Sequence, residues 1–217
     1  MAGLARIATE AQAWLLDLAF PPTCGNCGRV DFRFCHDCLG ELGRVPVTAT
    51  RREAGALDEL CATGAHSGVL RAALQSFKYE GATLLAETLA ARLTAALRQR
   101  GWRLDVIVPV PLFADREEER GYNQSALLSA PVAGATRLPC HADHIWRTRS
   151  TSQQAMLSEL ERRENVKDAF EASEDVKGLS VLLIDDVVTT GSTLAECASA
   201  LRAMGASKVY GMAVSHA

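Results

Sequence analysis

Residues 181–194 are Val-Leu-Leu-Ile-Asp-Asp-Val-Val-Thr-Thr-Gly-Ser-Thr-Leu, and this segment gives the strongest indication of the fold class. Four apolar residues, Val181 to Ile184, predict a buried strand, and two carboxylates follow where that strand should end. A loop rich in hydroxyls and glycine comes next. A helix should then start near Thr193, which has capping-box spacing to Glu196. The order of strand, acid pair, loop and helix predicts a ligand site at the carboxyl edge of a parallel sheet.

The loop and the helix start suit a sugar phosphate. Backbone N–H groups at a helix N-terminus, together with the helix dipole, favour a phosphate. Two carboxylates just before the loop can accept hydrogen bonds from a vicinal diol. The alternative is that the acid pair is a solvated turn before a helix. The candidate ligand-binding residues of this segment are Asp185, Asp186, Val187, Val188, Thr189, Thr190, Gly191, Ser192 and Thr193.

Two other phosphate-binding devices are absent from the sequence. A P-loop needs Gly-Lys followed by Ser or Thr, and no such triplet occurs. The dinucleotide fingerprint needs Gly-x-Gly, which is also missing. The 181–194 segment therefore indicates a ribose-phosphate site of another kind.

Aliphatic strands and helical stripes surround this segment. Buried strands are predicted over 106–108 and 209–214, and helices over 69–77 and 85–97, with Gly101 as a left-handed stop. The helix after the acid pair should end at Gly205. Strands of continuous aliphatic residues separated by helices indicate a parallel sheet covered on both faces. The expected class is α/β, a parallel sheet flanked by helices.

The chain of 217 residues should hold one main domain with a small appendage. We expect an amphipathic helix over 1–20, a ribbon and an irregular linker over 21–60, and the main domain over 61–217. A net charge of −3 supplies no overall attraction to nucleic acid or an anionic membrane. No apolar run approaches the ~20 residues of a membrane-spanning helix, and the N-terminus lacks the features of a signal peptide. A cytoplasmic protein without membrane insertion is expected.

Four of the seven cysteines form a candidate zinc site. Cys24, Cys27, Cys35 and Cys38 have the spacing C-x2-C-x7-C-x2-C, and four thiolates fill the tetrahedral shell of a structural Zn²⁺. The alternative is four unligated cysteines in a loop. His36 is interpreted as a solvent-facing spacer, and the three remaining cysteines as buried or incidental residues. These three are Cys61, Cys140 and Cys197.

The sequence resembles the ComF family, in which a short zinc ribbon precedes a domain like the type I phosphoribosyltransferases. Residues 181–194 resemble the motif that binds phosphoribosyl pyrophosphate (PRPP) in those enzymes. Supporting blocks occur in order from Cys24 to the end of the chain. They are residues 77–81, 108–112, 120–124 and 147–166. The segment 115–119 departs from the family, because it is acidic where a basic stretch is common.

The resemblance implies roles for matching positions. Asp185 and Asp186 would hold the ribose hydroxyls, and residues 189–193 the 5′-phosphate. Pro109, Val110 and Pro111 would belong to the pyrophosphate loop, and residues 147–170 would form a flap. Arg147, Arg149 and Arg163 are candidates for diphosphate contacts, the alternative being a solvated basic face.

Three further residues have two readings each. Lys78 is either a contact to the same anion or an exposed lysine at a helix end. Tyr122 and Asn123 either pack in the interior or belong to an acceptor pocket.

Two functions follow from the resemblance as hypotheses. The first is phosphoribosyl transfer from PRPP or a related ribose phosphate with Mg²⁺ to an acceptor that the sequence does not identify. The second is a non-catalytic module that senses or holds such a ligand. The family's role in competence would connect either one to DNA uptake and to competence-machinery proteins. With 6% aromatic residues, direct single-strand binding is not expected, and any DNA contact should run through partners.

Overall fold

The computed structural model describes residues 21–48, 50–52, 55–148 and 169–217. Three of the sequence-based expectations fall outside these ranges: the helix over 1–20, the two arginines Arg149 and Arg163, and most of the flap. The division of the chain at residue 60 remains a prediction.

The described residues form a central five-stranded sheet and a separate two-stranded one. The strands are β1, Thr50–Arg52; β2, Glu59–Ala62; β3, Val106–Pro109; β4, Ile145–Arg147; β5, Phe170–Ala172; β6, Ser180–Val188; and β7, Lys208–His216. The central order is β1-β2-β7-β6-β3, with β1 antiparallel to β2 and the other four strands parallel. The strands β4 and β5 pair antiparallel. The predicted α/β class with a parallel sheet is confirmed.

Helices connect and cover these strands. They are α1, His36–Arg44; α2, Gly68–Tyr79; α3, Leu85–Arg98; α4, Ala114–Arg120; α5, Gln124–Thr136; and α6, Ser192–Ala203, with 3₁₀ turns at Ala142–His144 and Glu174–Val176. The predictions over 69–77 and 85–97 are confirmed as α2 and α3. Gly101 and Gly205 have φ of 64° and 90°, the left-handed conformation expected of helix stops. Within the described ranges, no helix combines the length and the apolar character that crossing a bilayer requires.

The interior of β6 shows why the sheet is covered on both faces. Side chains alternate across a strand, so Leu182 and Ile184 enter one hydrophobic cluster while Val181 and Leu183 enter another. Buried residues of α2, α3 and α5 belong to the first cluster, and buried residues of α6, β4 and β5 belong to the second. The four consecutive apolar residues of β6, Val181 to Ile184, therefore have a partner layer on each side of the sheet.

The stretch before residue 60 is more regular than the sequence predicts. The weak pattern indicated an irregular ribbon and linker, but α1 spans nine residues and β2 extends the sheet by pairing in parallel with β7. The helix was missed because only Cys38 and Leu42 of its nine residues are buried, too few to make a periodic stripe. The strand was missed because none of its residues, Glu59 to Ala62, is β-branched, whereas the equally short β3 contains Val-Ile-Val.

Candidate functional site

The acid pair lies where β3 and β6 part. Pairing of β3 with β6 ends at Pro109 and Ile184, whereas β6 stays paired with β7 as far as Val188 and His216. The predicted end of the strand at Ile184 is therefore wrong, because one neighbour stops there and the other does not. Since the strand is unpaired on one side beyond Ile184, its next residues face an opening at the carboxyl edge of the sheet.

A pocket occupies this opening. Its lining consists of Lys78, Val110, Pro111, Leu112, Gln124, Ser125, Arg147 and residues 185–194. Among the sequence-based candidates, the structure brings together residues 185–193, Val110, Pro111 and Arg147. Pro109 is the last residue of β3, just before the lining, and Arg149 and Arg163 lie outside the described residues.

The loop after the acid pair turns into α6 at Gly191. Gly191 is the N-cap in the left-handed conformation, with φ of 82°, and makes no side-chain cap. The predicted capping box at Thr193 is wrong, since α6 begins at Ser192 and Thr193 lies inside the first turn. Thr190 Oγ1 accepts from the Ser192 amide at 3.3 Å and contacts Ser192 Oγ at 2.7 Å. The pocket thus adjoins the positive end of a helix dipole and several hydroxyl groups.

The two carboxylates are held in different ways. Asp185 Oδ1 accepts hydrogen bonds from Ser125 Oγ at 3.0 Å and from the Asp186 amide at 2.8 Å. Asp186 Oδ1 lies 2.9 Å from Lys78 Nζ in an ion pair. Within the described part of the chain, buried Asp186 Oδ2 has no hydrogen-bond partner. A ligand with hydroxyl or other donor groups would satisfy this oxygen.

Burial and mutual repulsion shift the titration of this group of charges. Burial raises the pKa of Asp185 to about 6, and the charge of Asp186 adds to the rise, while Lys78 and the two hydrogen bonds oppose it. Burial alone would lower the pKa of Lys78, but the charge of Asp186 outweighs it and the pKa is raised. Lys78 therefore carries a full positive charge beside the acid pair at neutral pH.

Lys78 is the lining residue whose position the sequence left most open. Its side chain is 21% exposed and forms an ion pair with a buried carboxylate. The interpretation of Lys78 as an exposed lysine at a helix end is therefore wrong. Gln124 and Ser125 were missed as lining residues. Gln124 is the last residue of the 120–124 block and Ser125 follows it, but the acceptor pocket considered there included only Tyr122 and Asn123.

Tyr122 and Asn123 have structural contacts. The Tyr122 hydroxyl donates to the Phe77 carbonyl, and the two rings lie 6.1 Å apart between centroids. Asn123 caps α5, with Oδ1 accepting from the Ser125 and Ala126 amides, and its Nδ2 donates to the Val110 carbonyl at 3.1 Å. Neither residue lines the pocket. The packing interpretation fits both residues.

The four cysteines of the ribbon form a compact cluster. Their sulfur atoms all lie within 4.8 Å of one another, and three of the four residues are buried. Ligands 2.3 Å from a tetrahedral zinc are about 3.8 Å apart, and Cys27 and Cys35 Sγ are separated by 3.6 Å. The Cys35 amide donates to Cys24 Sγ at 3.3 Å, and Asn26 Nδ2 donates to Cys38 Sγ at the same distance. Such N–H···S bonds stabilise thiolates, so the donor set fits Zn²⁺.

The ribbon packs closely on the end of α2. Arg33 Nη1 donates to the Glu80 carbonyl at 2.7 Å. A Cβ atom added to Gly25 would lie 2.1 Å from Ser76 Oγ, so only glycine permits this approach. Buried residues of the ribbon share one hydrophobic cluster with Phe77. The cysteine cluster is thereby fixed on the helix that carries Lys78.

The other histidine and cysteine residues show no comparable site within the described ranges. His36 is exposed and lies outside the cysteine cluster, as predicted. His141, Asp143 and His144 approach one another, but the two imidazole rings stack at 4.5 Å and 10°. Nearly parallel rings direct their in-plane lone pairs side by side instead of toward one ion. Of the three isolated cysteines, Cys61 and Cys197 are buried and Cys140 is exposed.

Comparison with known proteins connects this site to a family. Residues 80–217 match the phosphoribosyl transferase domain family. Over 202 residues the chain is 33% identical to competence protein F of Haemophilus influenzae, an alignment that covers 88% of this chain and 84% of that protein. It is 43% identical over 126 residues to DNA utilization protein YhgH of Escherichia coli O157:H7, covering 58% of this chain and 54% of that protein. The chain thus spans about half the length of this second relative.

Two solved structures match part of this chain at low sequence identity. One is the glutamine PRPP amidotransferase from B. subtilis, at 22% identity and a TM-score of 0.39, covering 60% of this chain and 25% of that one. Another is a purine phosphoribosyltransferase from Pyrococcus horikoshii, at 15% identity and a TM-score of 0.38, covering 62% and 84%. Residues 80–217 match the domain family, and the 33% identity to competence protein F extends over 88% of the chain. This chain therefore belongs to the ComF family and contains a phosphoribosyl transferase domain.

Proposed function

We propose that the pocket binds PRPP or a related ribose phosphate together with Mg²⁺. The observation that carries the proposal is that two adjacent carboxylates, half-buried Asp185 and buried Asp186, line one pocket together with the N-terminus of α6. In this assignment the 5′-phosphate takes the hydroxyls and amides of residues 189–193. The ribose lies over Asp185 and Asp186, and the turn containing Val110 and Pro111 faces the diphosphate.

The acid pair supports a ribose because its free acceptor capacity matches a vicinal diol. Asp185 Oδ1 and Asp186 Oδ1 already have partners, whereas Asp186 Oδ2 has none within the described ranges. Two hydroxyls on adjacent carbons can each donate to one carboxylate. Such a ligand would remove the cost of an unsatisfied buried oxygen, which is about 1–3 kcal/mol.

The donor set also fits Mg²⁺, which prefers oxygen ligands and usually keeps water and substrate oxygens in its shell. Asp185 and Asp186 are the residues that would help to hold the ion. When bound, the ion supplies neutralisation of the diphosphate charge.

The reaction that this arrangement supports is displacement of pyrophosphate from C1 of the ribose by a nucleophilic acceptor. The bond from C1 to the diphosphate oxygen breaks, and a bond from C1 to the acceptor forms. The chain's own part is to hold the phosphate at the start of α6 and the sugar at the acid pair, so that C1 has one orientation toward the acceptor. Lys78 and Arg147, which line the same pocket, supply positive charge toward the departing diphosphate.

The names of the relatives point to a pathway. Competence protein F and DNA utilization protein YhgH suggest that this chain acts in competence or DNA utilization, in contact with other proteins of that machinery. We place the chain in the cytoplasm, where a thiolate zinc ribbon remains reduced. Contact with DNA through protein partners is favoured, because α4 presents an acidic segment, Asp115 to Glu119, instead of a basic groove.

Isothermal titration of the zinc-loaded protein with PRPP and Mg²⁺ tests the binding. We expect measurable binding by the wild type and at least about a hundredfold loss in Asp185→Ala/Asp186→Ala, as several charge-assisted hydrogen bonds disappear. Asp143→Ala is the matched control, since that side chain is 83% exposed, and should bind like the wild type. Equal affinity in the double variant and the wild type would reject the assignment.

Pyrophosphate release across a panel of nucleobases and amines then separates transfer from binding alone. Release with one acceptor and not with others identifies an enzyme. Tight binding of PRPP without release on any acceptor favours the second hypothesis, a ligand-sensing module.

A further inference from the structure

Lys78 forms an ion pair inside the pocket. Its Nζ atom lies 2.9 Å from Asp186 Oδ1, and the two side chains are 21% and 4% exposed. Removing an ammonium and a carboxylate from water costs several kcal/mol per ion, so a pair at this depth is a weak way to stabilise a fold. An ammonium has three N–H donors, and the carboxylate of Asp186 uses one of them. Lys78 is therefore equipped to bind a second acceptor in the pocket.

Two consecutive residues, Tyr122 and Asn123, connect the end of α2, which carries Lys78, to the turn after β3. The Tyr122 hydroxyl donates to the carbonyl of Phe77, the neighbour of Lys78, and Asn123 Nδ2 donates to the carbonyl of Val110. The last turn of α2 and the 110–112 turn are thus both fastened to one short segment. The buried residues of α2 and of α6 belong to the clusters on opposite faces of the sheet, so Lys78 and the hydroxyl loop at the start of α6 reach the pocket from opposite sides.

The net charge of the described lining residues bears on the role of Lys78 in binding a diphosphate. Among its described lining residues, Lys78 and Arg147 are cationic and Asp185 and Asp186 are anionic, so the charges balance. These described lining residues therefore supply no excess positive charge for a ligand with two phosphorylated ends. The helix N-terminus serves one end, and on the opposite side Lys78 is a fixed cation positioned for the other.

We propose that Lys78 is a specificity-determining residue, which makes the pocket select ribose phosphates that carry a diphosphate at C1 over ribose 5-phosphate. The inference rests on the proposed function. When the ligand enters, Lys78 keeps its contact with Asp186 and donates a second hydrogen bond to a diphosphate oxygen. Ribose 5-phosphate has no group at that position and gains nothing from the lysine.

The test compares the affinities of PRPP and ribose 5-phosphate, each titrated with Mg²⁺ into wild type, Lys78→Met and Lys78→Gln. Methionine keeps the length without charge. Lys78→Met leaves the buried carboxylate of Asp186 without its partner, which can destabilise the fold. Glutamine keeps an N–H donor for that carboxylate, so Lys78→Gln provides a folded variant in that case. Loss of one charge-assisted contact should weaken PRPP by at least about tenfold and ribose 5-phosphate by less than about threefold. Lys177→Met, an exposed lysine outside the pocket, is the matched control and should alter neither affinity.

Each outcome either supports or overturns the proposed role of Lys78. A collapse of the PRPP preference in Lys78→Gln, with ribose 5-phosphate binding retained, supports the inference. Equal weakening of both ligands means that the lysine only holds Asp186 in place, and overturns it. A wild type that binds PRPP with an unchanged preference in both variants also overturns it. A wild type that binds neither ligand overturns the proposed function itself, and the inference with it.

Discussion

Replacing Asp185 by asparagine should stabilise the folded protein at neutral pH while weakening its binding of a ribose phosphate. Burial and the charge of Asp186 raise the pKa of Asp185 from its ordinary value of 3.8 to about 6. A carboxylate whose pKa is raised on folding destabilises the folded state wherever it is ionised. Asparagine removes that charge, and its Oδ1 can still accept from Ser125 Oγ and from the Asp186 amide.

The size of the gain follows from the pKa difference. At ~1.4 kcal/mol per pKa unit, a rise from 3.8 to about 6 corresponds to about 3 kcal/mol. Asp185 is only half-buried and water in the open pocket screens part of this cost, so a gain of about 1–2 kcal/mol is expected. For a domain of this size that gain is an increase of roughly 3–6 °C in Tm.

The sign of the pH dependence makes the prediction specific. Below pH 3.8 the carboxyl is protonated in both the folded and the unfolded state, and no penalty exists. The penalty grows as pH rises toward about 6 and is complete above it. Asp185→Asn should therefore gain stability over the wild type at pH 7.5 and much less at pH 4.5.

Urea denaturation of wild type, Asp185→Asn and the exposed control Asp143→Asn at these two pH values provides the measurement. Titration with PRPP should show weaker binding by the stabilised variant alone. A variant that is no more stable than the wild type at pH 7.5, or equally favoured at both pH values, would refute the reasoning that burial and repulsion strain the acid pair.

Two further predictions concern the rest of the molecule. Elemental analysis should find about one zinc per chain, absent from Cys24→Ser/Cys27→Ser and retained in Cys140→Ser; a metal-free wild type that is fully folded would contradict the ribbon assignment. Asp58 should stabilise the fold by accepting from Arg202, from Lys208 Nζ at 2.9 Å and from the Val209 amide at 2.8 Å. Although burial opposes it, these groups lower the pKa of Asp58, so the stability is present above pH 3.8 and is lost as pH falls below it. Asp58→Asn should cost about 1–2 kcal/mol at pH 7 and less at pH 3 in thermal unfolding, and an equal cost at both would count against the charged network.

The helices α2 and α3 and the strands around β6 could be predicted because each has a strong local pattern. Their apolar residues recur at the helical period or run without interruption, and such patterns depend on burial alone. The helix α1 and the strand β2 could not be predicted. Only two residues of α1 are buried, and β2 has no β-branched residue, unlike the equally short β3. The end of β6 was misjudged for a different reason. Its length depends on which neighbouring strand continues, and no property of residues 185–188 themselves reports that.

Features whose residues lie close together along the chain could be predicted from the residues alone. The strand, acid pair, hydroxyl loop and helix start are contiguous over 181–194, and the cysteine pairs lie within 24–38. Both candidate sites could therefore be predicted without knowledge of the fold. Contacts between distant parts of the chain could not be predicted in this way. Lys78 of α2 pairs with Asp186, and Ser125 of α5 donates a hydrogen bond to Asp185, 60 positions away, because the fold brings these elements together. Periodicity shows which face of a helix is buried, but the partner of that face is chosen by packing between layers, a property of the whole chain.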